Sequence, residues 1–153
     1  MSTLSTPVAE IMTTQVRCIA STLAVRDAVQ LMLETGVLGL PVEDAAGKIV
    51  GVFSMTDALW AAQPEDDPEA ENSFYDASAL LRLIRNKEPV DRDELPVSSL
   101  MNKKVVALAP TASLQQAAAL MSERSIHRVL VLDEKKKLVG IVTTLDVCRH
   151  VAS

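Results

Sequence analysis

The chain of 153 residues has few of the residues that build reaction centres: two histidines, two cysteines, one Trp, one Tyr and two Phe. His127 and His150 fall in no HExxH or nucleophile–base spacing. No GxxxxGK[ST] or GxGxxG run is present either, so the zincin, P-loop and dinucleotide fingerprints are excluded. Cys18 and Cys148 stand alone and far apart. Without a CxxC they offer no zinc or redox motif, and they read as two buried thiols rather than a disulfide. No apolar run approaches the roughly 18–20 residues that cross a bilayer, so no membrane partner is expected. Basic charge is not in excess either: 15 Lys and Arg face 20 Asp and Glu, for a net charge of −5. A duplex-binding surface needs a basic face to displace counterions, so nucleic acid is not expected as a partner. The one basic run, Lys135-Lys136-Lys137, lies between two apolar stretches and reads as a solvated turn. Met1–Pro7 shows neither a basic start nor a following apolar stretch, so no secretory signal is expected and the cytoplasm is the default location.

What is present is enough to fold. Apolar residues make up 48% and charged residues 23%, the balance of an ordinary globular protein. The length suits one domain or two small units sharing a core. Self-comparison settles which. Shifted by 89 residues, Val8–Ala62 lies on Val97–Val151 without a gap, and about 15 of the 55 positions are identical. Met12 meets Met101, Val16 meets Val105, Thr22 meets Thr111, Val50-Gly51 meets Val139-Gly140, and Asp57 meets Asp146.

Each copy carries the same order of elements. A short extended piece, Val16–Ala20 or Val105–Ala109, comes first. A helix follows, with apolar residues at Val25, Ala28, Val29 and Met32, or at Leu114, Ala117, Ala118 and Met121, which is the i, i+3, i+4, i+7 pattern. Ser113 with Gln116 reads as a capping box, whereas Ala24 leaves the first copy's helix less well specified. Two short runs rich in Val and Ile then read as strands, Leu40–Glu43 with Ile49–Ser54 and Val129–Leu132 with Leu138–Thr143. A last helix is expected to begin at Asp57 or Asp146 as N-cap. One such unit of about 55 residues is marginal alone. The fold expected is therefore α+β: two βαββα repeats, 8–62 and 97–152, packed sheet to sheet about a pseudo-twofold axis. Residues 63–96 join them, with an acidic start, Phe74 and Tyr75, and a helix near 76–87 that covers an edge of the core or makes a partner contact.

Three marks carry a resemblance. Leu40-Pro41-Val42 stands in the first copy, and a Gly-h-x-Ser/Thr-x-x-Asp stretch stands in both, at Gly51–Asp57 and Gly140–Asp146. Ile126-His127-Arg128 precedes a strand of the second copy. The chain resembles a pair of cystathionine-beta-synthase (CBS) domains, a Bateman module, over about 70% of its length. The resemblance implies a regulatory module rather than an enzyme, one that binds an adenosine-containing ligand such as AMP, ADP, ATP or S-adenosylmethionine, with no cofactor required and no metal. It implies a homodimer and a separate regulated protein, and here a free-standing module.

Transferred position by position, the resemblance implies one site made of Thr143, Asp146, His127 and Arg128 with Thr14, Val16, Arg17 and Gly39. A second, weaker site would use Ser54 and Asp57 with Lys103, Lys104 and Val105. It is weaker because Leu38 and Gly39 stand where the other copy has His127 and Arg128. The chemistry suits the residues. An ionised Asp accepts the vicinal hydroxyls of a ribose, Ser54 and Thr143 offer hydroxyls, and Arg holds phosphate bidentately. Structural roles compete with these: Asp57 and Asp146 as caps, His127 and Arg128 as ion-pair partners of Glu123 or Asp133, Gly51 and Gly140 as tight-packing positions, and Met12 and Met101 as core. A ligand-independent interaction module is the alternative function.

Overall fold

The computed structural model describes residues 3–61 and 94–153. The joining segment, with its expected helix near 76–87, Phe74 and Tyr75, falls outside the described residues apart from its last three positions. The rest follows the repeat. The first copy runs β1 (Ile19–Ala20), α1 (Val25–Thr35), β2 (Gly39–Glu43), β3 (Ile49–Ser54) and α2 (Met55–Ala61). The second runs β4 (Ala107–Leu108), α3 (Leu114–Arg124), β5 (Arg128–Leu132), β6 (Leu138–Thr143) and α4 (Thr144–Ala152). Each copy forms a three-stranded sheet, in the orders β1-β2-β3 and β4-β5-β6. The α+β class is as expected. The opening strands are parallel to their neighbours, with Ile19 opposite Val42 and Ala107 opposite Leu130. They are shorter than expected: only two residues of each extended piece enter the ladder.

The compact units are not the two sequence repeats. One contains Met1–Arg17 with Val105–Ser153 and the short turn Ala46–Ile49; the other contains Cys18–Ala45 with the described part of Val50–Lys104. Each repeat's opening segment therefore packs in the unit of the other repeat. In the first unit Val8 N–H donates to the Ala112 carbonyl at 2.8 Å and Leu114 N–H to that of Thr6 at 2.8 Å. In the second, Val97 N–H donates to Leu23 at 2.8 Å and Val25 N–H to Leu95 at 2.9 Å. These are the same bonds, 89 residues on. The cores agree: Val8 is buried with Ala117, Met121, Val129, Val131 and Val142, and Val97 with Ile19, Ala28, Met32, Val42 and Phe53.

Local chemistry explains the helix ends. Ser113 caps α3 through the expected box with Gln116, while Ala24 makes no side-chain cap on α1. Both helices stop on a left-handed residue, Gly36 at φ 69° and Ser125 at φ 52°. The hairpin turns show the same pairing, Gly47 at φ 76° and Lys136 at φ 59°. The first copy thus puts glycine at both left-handed positions and the second copy puts neither there. A left-handed L-residue costs roughly 1–2 kcal/mol, partly offset by glycine's larger unfolded-state entropy. Lys136→Gly is expected to stabilise the protein by about 0.5–1 kcal/mol, and Gly47→Ala, with no atom within 4 Å of its new Cβ, to destabilise it by a similar amount. Chemical denaturation of the two variants checks the signs; a loss from Lys136→Gly contradicts this account.

Candidate functional site

The second copy's closing helix sets the geometry. Its N-cap is Thr143, not Asp146 as expected from sequence; Asp146 is the third helical residue. The two form a reciprocal box. The Thr143 backbone N–H and hydroxyl donate to Asp146 Oδ2 at 2.8 and 2.7 Å, and Asp146 N–H donates to Thr143 Oγ1 at 3.2 Å. The first copy repeats it: Ser54 N–H and Oγ–H donate to Asp57 Oδ2 at 2.7 and 2.8 Å, and Asp57 N–H to Ser54 Oγ at 3.3 Å. There too the helix begins earlier than expected, at Met55. The physical reason is that a hydroxyl directly before a helix reaches the third N–H, while the carboxylate reaches back.

The box fixes what each pair can still do. One carboxylate oxygen is spent on the cap and Oδ1 remains. The hydroxyl proton is spent too, so Thr143 and Ser54 act outward only as acceptors. This narrows the expectation that they offer hydroxyls to a ribose or phosphate. Each pair suits a group that donates, such as a vicinal diol, and any anion must rely on other residues.

Those residues differ between copies. Arg128 lies directly opposite Thr143 in the antiparallel β5–β6 ladder, so the two side chains share a sheet face. The next pair, Val129 with Val142, is buried on the other face against α3. The His127 carbonyl accepts from Thr144 N–H at 3.0 Å, which ties the residue before β5 to the first turn of α4. Thr13 pairs with Ile141, N–H to carbonyl in both directions at 2.9 and 3.0 Å. That pairing brings Thr14, Val16 and Arg17 into the same unit as Thr143 and Asp146. Among the described residues no ion pair forms on Arg17, His127 or Arg128, so the expected alternative pairing with Glu123 or Asp133 is not present. Arg149 Nη1 stands 3.8 Å from Asp146 Oδ1; the arginine side chain is 71% exposed and the carboxylate 13%. With the arginine in solvent and the separation this long, the pair contributes little, and the first copy has Trp60 at the equivalent place.

In the other unit, Ser54 and Asp57 share the compact body with Lys103 and Lys104, and Val52 pairs with Asn102 as Ile141 does with Thr13. Leu38 and Gly39 take the places of His127 and Arg128; the Leu38 carbonyl accepts from Met55 N–H at 2.9 Å. Gly39 and Val105, named with the first and second sets respectively, each fall in the unit opposite to the rest of their set. The bridges at Thr13 and Asn102 were missed by sequence reasoning. The polar residues around them hide the pairing, and only the repeat-matched Met-Thr and Met-Asn could have signalled it.

Neither thiol is buried, contrary to expectation: Cys18 is half-buried and Cys148 exposed. Burial, and then the charge of Glu43, push the Cys18 thiol above its usual range. His150 contacts Thr6 Oγ1 at 3.2 Å, so it ties α4 to the chain's opening segment. Among the described residues no group of three or more His, Cys, Asp or Glu is placed to hold a metal, and no helix is long and apolar enough to cross a membrane.

Two βαββα copies with exchanged opening segments, each closing on an Asp-bearing cap, define a tandem-repeat class of fold. The CBS domain family matches both copies, over residues 8–63 and 97–153, and the chain belongs to that family. It is 30% identical over 134 residues to the chloroplastic CBS domain-containing protein CBSX2 of Arabidopsis thaliana, covering 82% of this chain and 54% of that protein. The chain thus spans about half the length of that relative. The solved structure of CBSX2 in complex with AMP matches with a TM-score of 0.71 and 28% identity, over 95% of this chain and 96% of that one. The CBS domain pair of protein MJ0100, in complex with 5′-methylthioadenosine and S-adenosyl-L-methionine, shares the fold, with a TM-score of 0.68 at 21% identity and 96% of each chain covered.

Proposed function

We propose that this chain is a regulatory module that binds an adenosine-containing ligand through Asp146 and Thr143, and that it controls a separate protein as a homodimer. One observation carries the reading. The Thr143–Asp146 box keeps a carboxylate oxygen and a hydroxyl lone pair in fixed positions, with Arg128, in no ion pair among the described residues, on the same sheet face and His127 next to it in the chain. The ribose diol gives its protons to the first pair, and phosphate takes the guanidinium groups of Arg128 and Arg17, with His127 as a further hydrogen-bonding partner. AMP or ADP fits two neighbouring cations better than ATP does. S-adenosylmethionine, itself cationic, gains nothing from them. The Ser54–Asp57 box offers the same acceptors without the His-Arg pair, and we assign it the weaker affinity, with Lys103 and Lys104 as its cations. That CBSX2 is a relative solved with AMP supports the ligand class. Control of a partner requires the ligand to prefer one arrangement of the module.

A thermal-shift series with AMP, ADP, ATP, NAD and S-adenosylmethionine tests this. A ligand at about 100 times its dissociation constant adds about 2.7 kcal/mol, which is a shift of several degrees for a protein of this size. The expected order is AMP and ADP first. No shift with any of the five favours the ligand-independent interaction module, a reading for which Leu38 and Gly39 in the first copy's anion position speak.

A further inference from the structure

The same cap box stands in two different charged settings. In each copy the hydroxyl proton and one carboxylate oxygen are taken up by the box, and the distances agree to within 0.1 Å. What differs is the surroundings. In the second copy Arg128 lies opposite Thr143 in the β5–β6 ladder, beside the hydroxyl. Arg149, one turn along α4 from Asp146, places Nη1 3.8 Å from Oδ1, the oxygen that the cap leaves over. At the same places, 89 residues earlier, the first copy carries Gly39 and Trp60. One box therefore has an arginine beside the hydroxyl and another beside the carboxylate, and the other box has neither. At 3.8 Å Arg149 is beyond hydrogen-bond range of Oδ1. Its side chain makes no other ion pair or hydrogen bond among the described residues. Its donors are uncommitted, and they stand next to the one oxygen open to a ribose.

We infer that the Asp146 site takes an adenosine 5′-phosphate whose ribose carries a second phosphate, on its 2′ or 3′ oxygen, and that Arg149 is the residue that selects it. The inference rests on the reading of Asp146 as the ribose acceptor. A ribose with both hydroxyls free gives its protons to the box and leaves Arg149 without a partner. A ribose phosphorylated at one of them keeps a single hydroxyl for Oδ1 and brings a dianion within reach of Arg149. Beside a carboxylate that dianion is repelled unless a cation stands there too. A guanidinium supplies the cation and holds phosphate oxygens with two parallel N–H donors. Arg128 stays with the 5′-phosphate. The Ser54–Asp57 box has the carboxylate without the arginine, so it turns the same ligand away.

Titration calorimetry at one fixed salt concentration compares AMP, ADP, adenosine 2′,5′-bisphosphate and adenosine 3′,5′-bisphosphate on the parent, Arg149→Gln and Arg149→Lys. One of the two bisphosphates is expected to bind the parent at least tenfold tighter than AMP, the effect of one hydrogen bond to a charged group. Which isomer does so tells where on the ribose the second phosphate sits. Arg149→Gln is expected to lower that ratio at least tenfold, for the same reason. Arg149→Lys is expected to keep part of it, as a point charge without the fork. ADP carries the same two phosphates at one end of the ribose, and an equal fall in its ratio to AMP would mean that Arg149 acts only through bulk charge, which overturns its selecting role. Binding of AMP with no gain from either bisphosphate, or a gain that survives Arg149→Gln, overturns the inference and leaves the AMP reading intact. No binding of any of the four overturns both.

Discussion

Asp146→Asn will leave the fold standing and lower the affinity for AMP at least tenfold. The substitution separates the two duties of one side chain. Asparagine's carbonyl oxygen can take the place of Oδ2 and keep the hydrogen bonds from Thr143 N–H and Oγ–H. The box is kept, and what stability loses is the attraction of a charged group at the third helical residue to the helix N-terminus, about 0.3–1 kcal/mol. Oδ1, however, becomes an NH₂ group. A ribose hydroxyl that donated to a carboxylate then meets a donor, and a hydrogen bond to a charged group, about 1.5–3 kcal/mol, is lost. That range corresponds to about 10- to 150-fold in affinity. Titration calorimetry with AMP on the parent, Asp146→Asn and Asp57→Asn measures it. Because the boxes match to within 0.1 Å, Asp57→Asn isolates the effect of the surroundings: its effect on the tighter site is expected to be under twofold. A larger loss from Asp57→Asn than from Asp146→Asn would reverse the ranking of the two sites. Equal, small losses would mean that both carboxylates serve only as caps.

The sequence made the repeat legible because both signals it rests on, apolar period and matched residues at a fixed offset, are local. Val25, Ala28, Val29 and Met32 are buried as their spacing demands, and β6 spans the expected residues Leu138–Thr143. The Ser113 box and the bare Ala24 start were readable for the same reason. Three things were not. Asp146 was read as an N-cap because aspartate before an apolar run is a strong cap signal. Thr143, three residues earlier at the strand's last position, is the cap instead, its hydroxyl accepting from Asp146 N–H itself. The exchange of opening segments depends on hydrogen bonds between residues about 100 positions apart, such as Val8 with Ala112, which no window of local pattern contains. The exposure of Cys148 is the third: the last helix holds no buried residue, so an apolar side chain on it is no sign of burial.

The largest stability effect is expected from the two matched glycines, and it discriminates between two kinds of close contact. A Cβ at Gly140 would overlap Met12 Sδ and come within 2.8 Å of its Cγ, with the Thr13 carbonyl at 3.1 Å. A Cβ at Gly51 would lie 2.6 Å from Met101 Sδ and 2.9 Å from the Asn102 carbonyl. Both sites are the points where an opening segment crosses a sheet edge, through Thr13–Ile141 and Asn102–Val52. Methionine is flexible and can yield. Both carbonyls are held by their bridges, from Val52 N–H and Ile141 N–H at 3.0 Å each, but that of Asn102, at 2.9 Å, is closer to the new Cβ than any ordinary contact, whereas that of Thr13, at 3.1 Å, needs to give only slightly. Gly140→Ala is therefore expected to cost about 1 kcal/mol and Gly51→Ala about 2–3 kcal/mol, within the usual range for overpacking. Denaturant unfolding of the single variants and of the pairs with Met12→Ala and Met101→Ala measures both cost and coupling. Removing Met12 should recover most of the Gly140→Ala loss, a coupling of about 1 kcal/mol or less, since that loss is side-chain overlap. Removing Met101 should recover only part of the Gly51→Ala loss, since the carbonyl remains. Full recovery in both pairs would show that the backbone bridges are softer than their hydrogen bonds imply. Thr14 directly follows the Thr13 bridge and Arg17 comes four residues on, so a rigid crossing there also holds them in the unit of Asp146. Gly140→Ala should consequently weaken AMP binding as well as stability, whereas Lys136→Gly, at the far hairpin, should change stability alone.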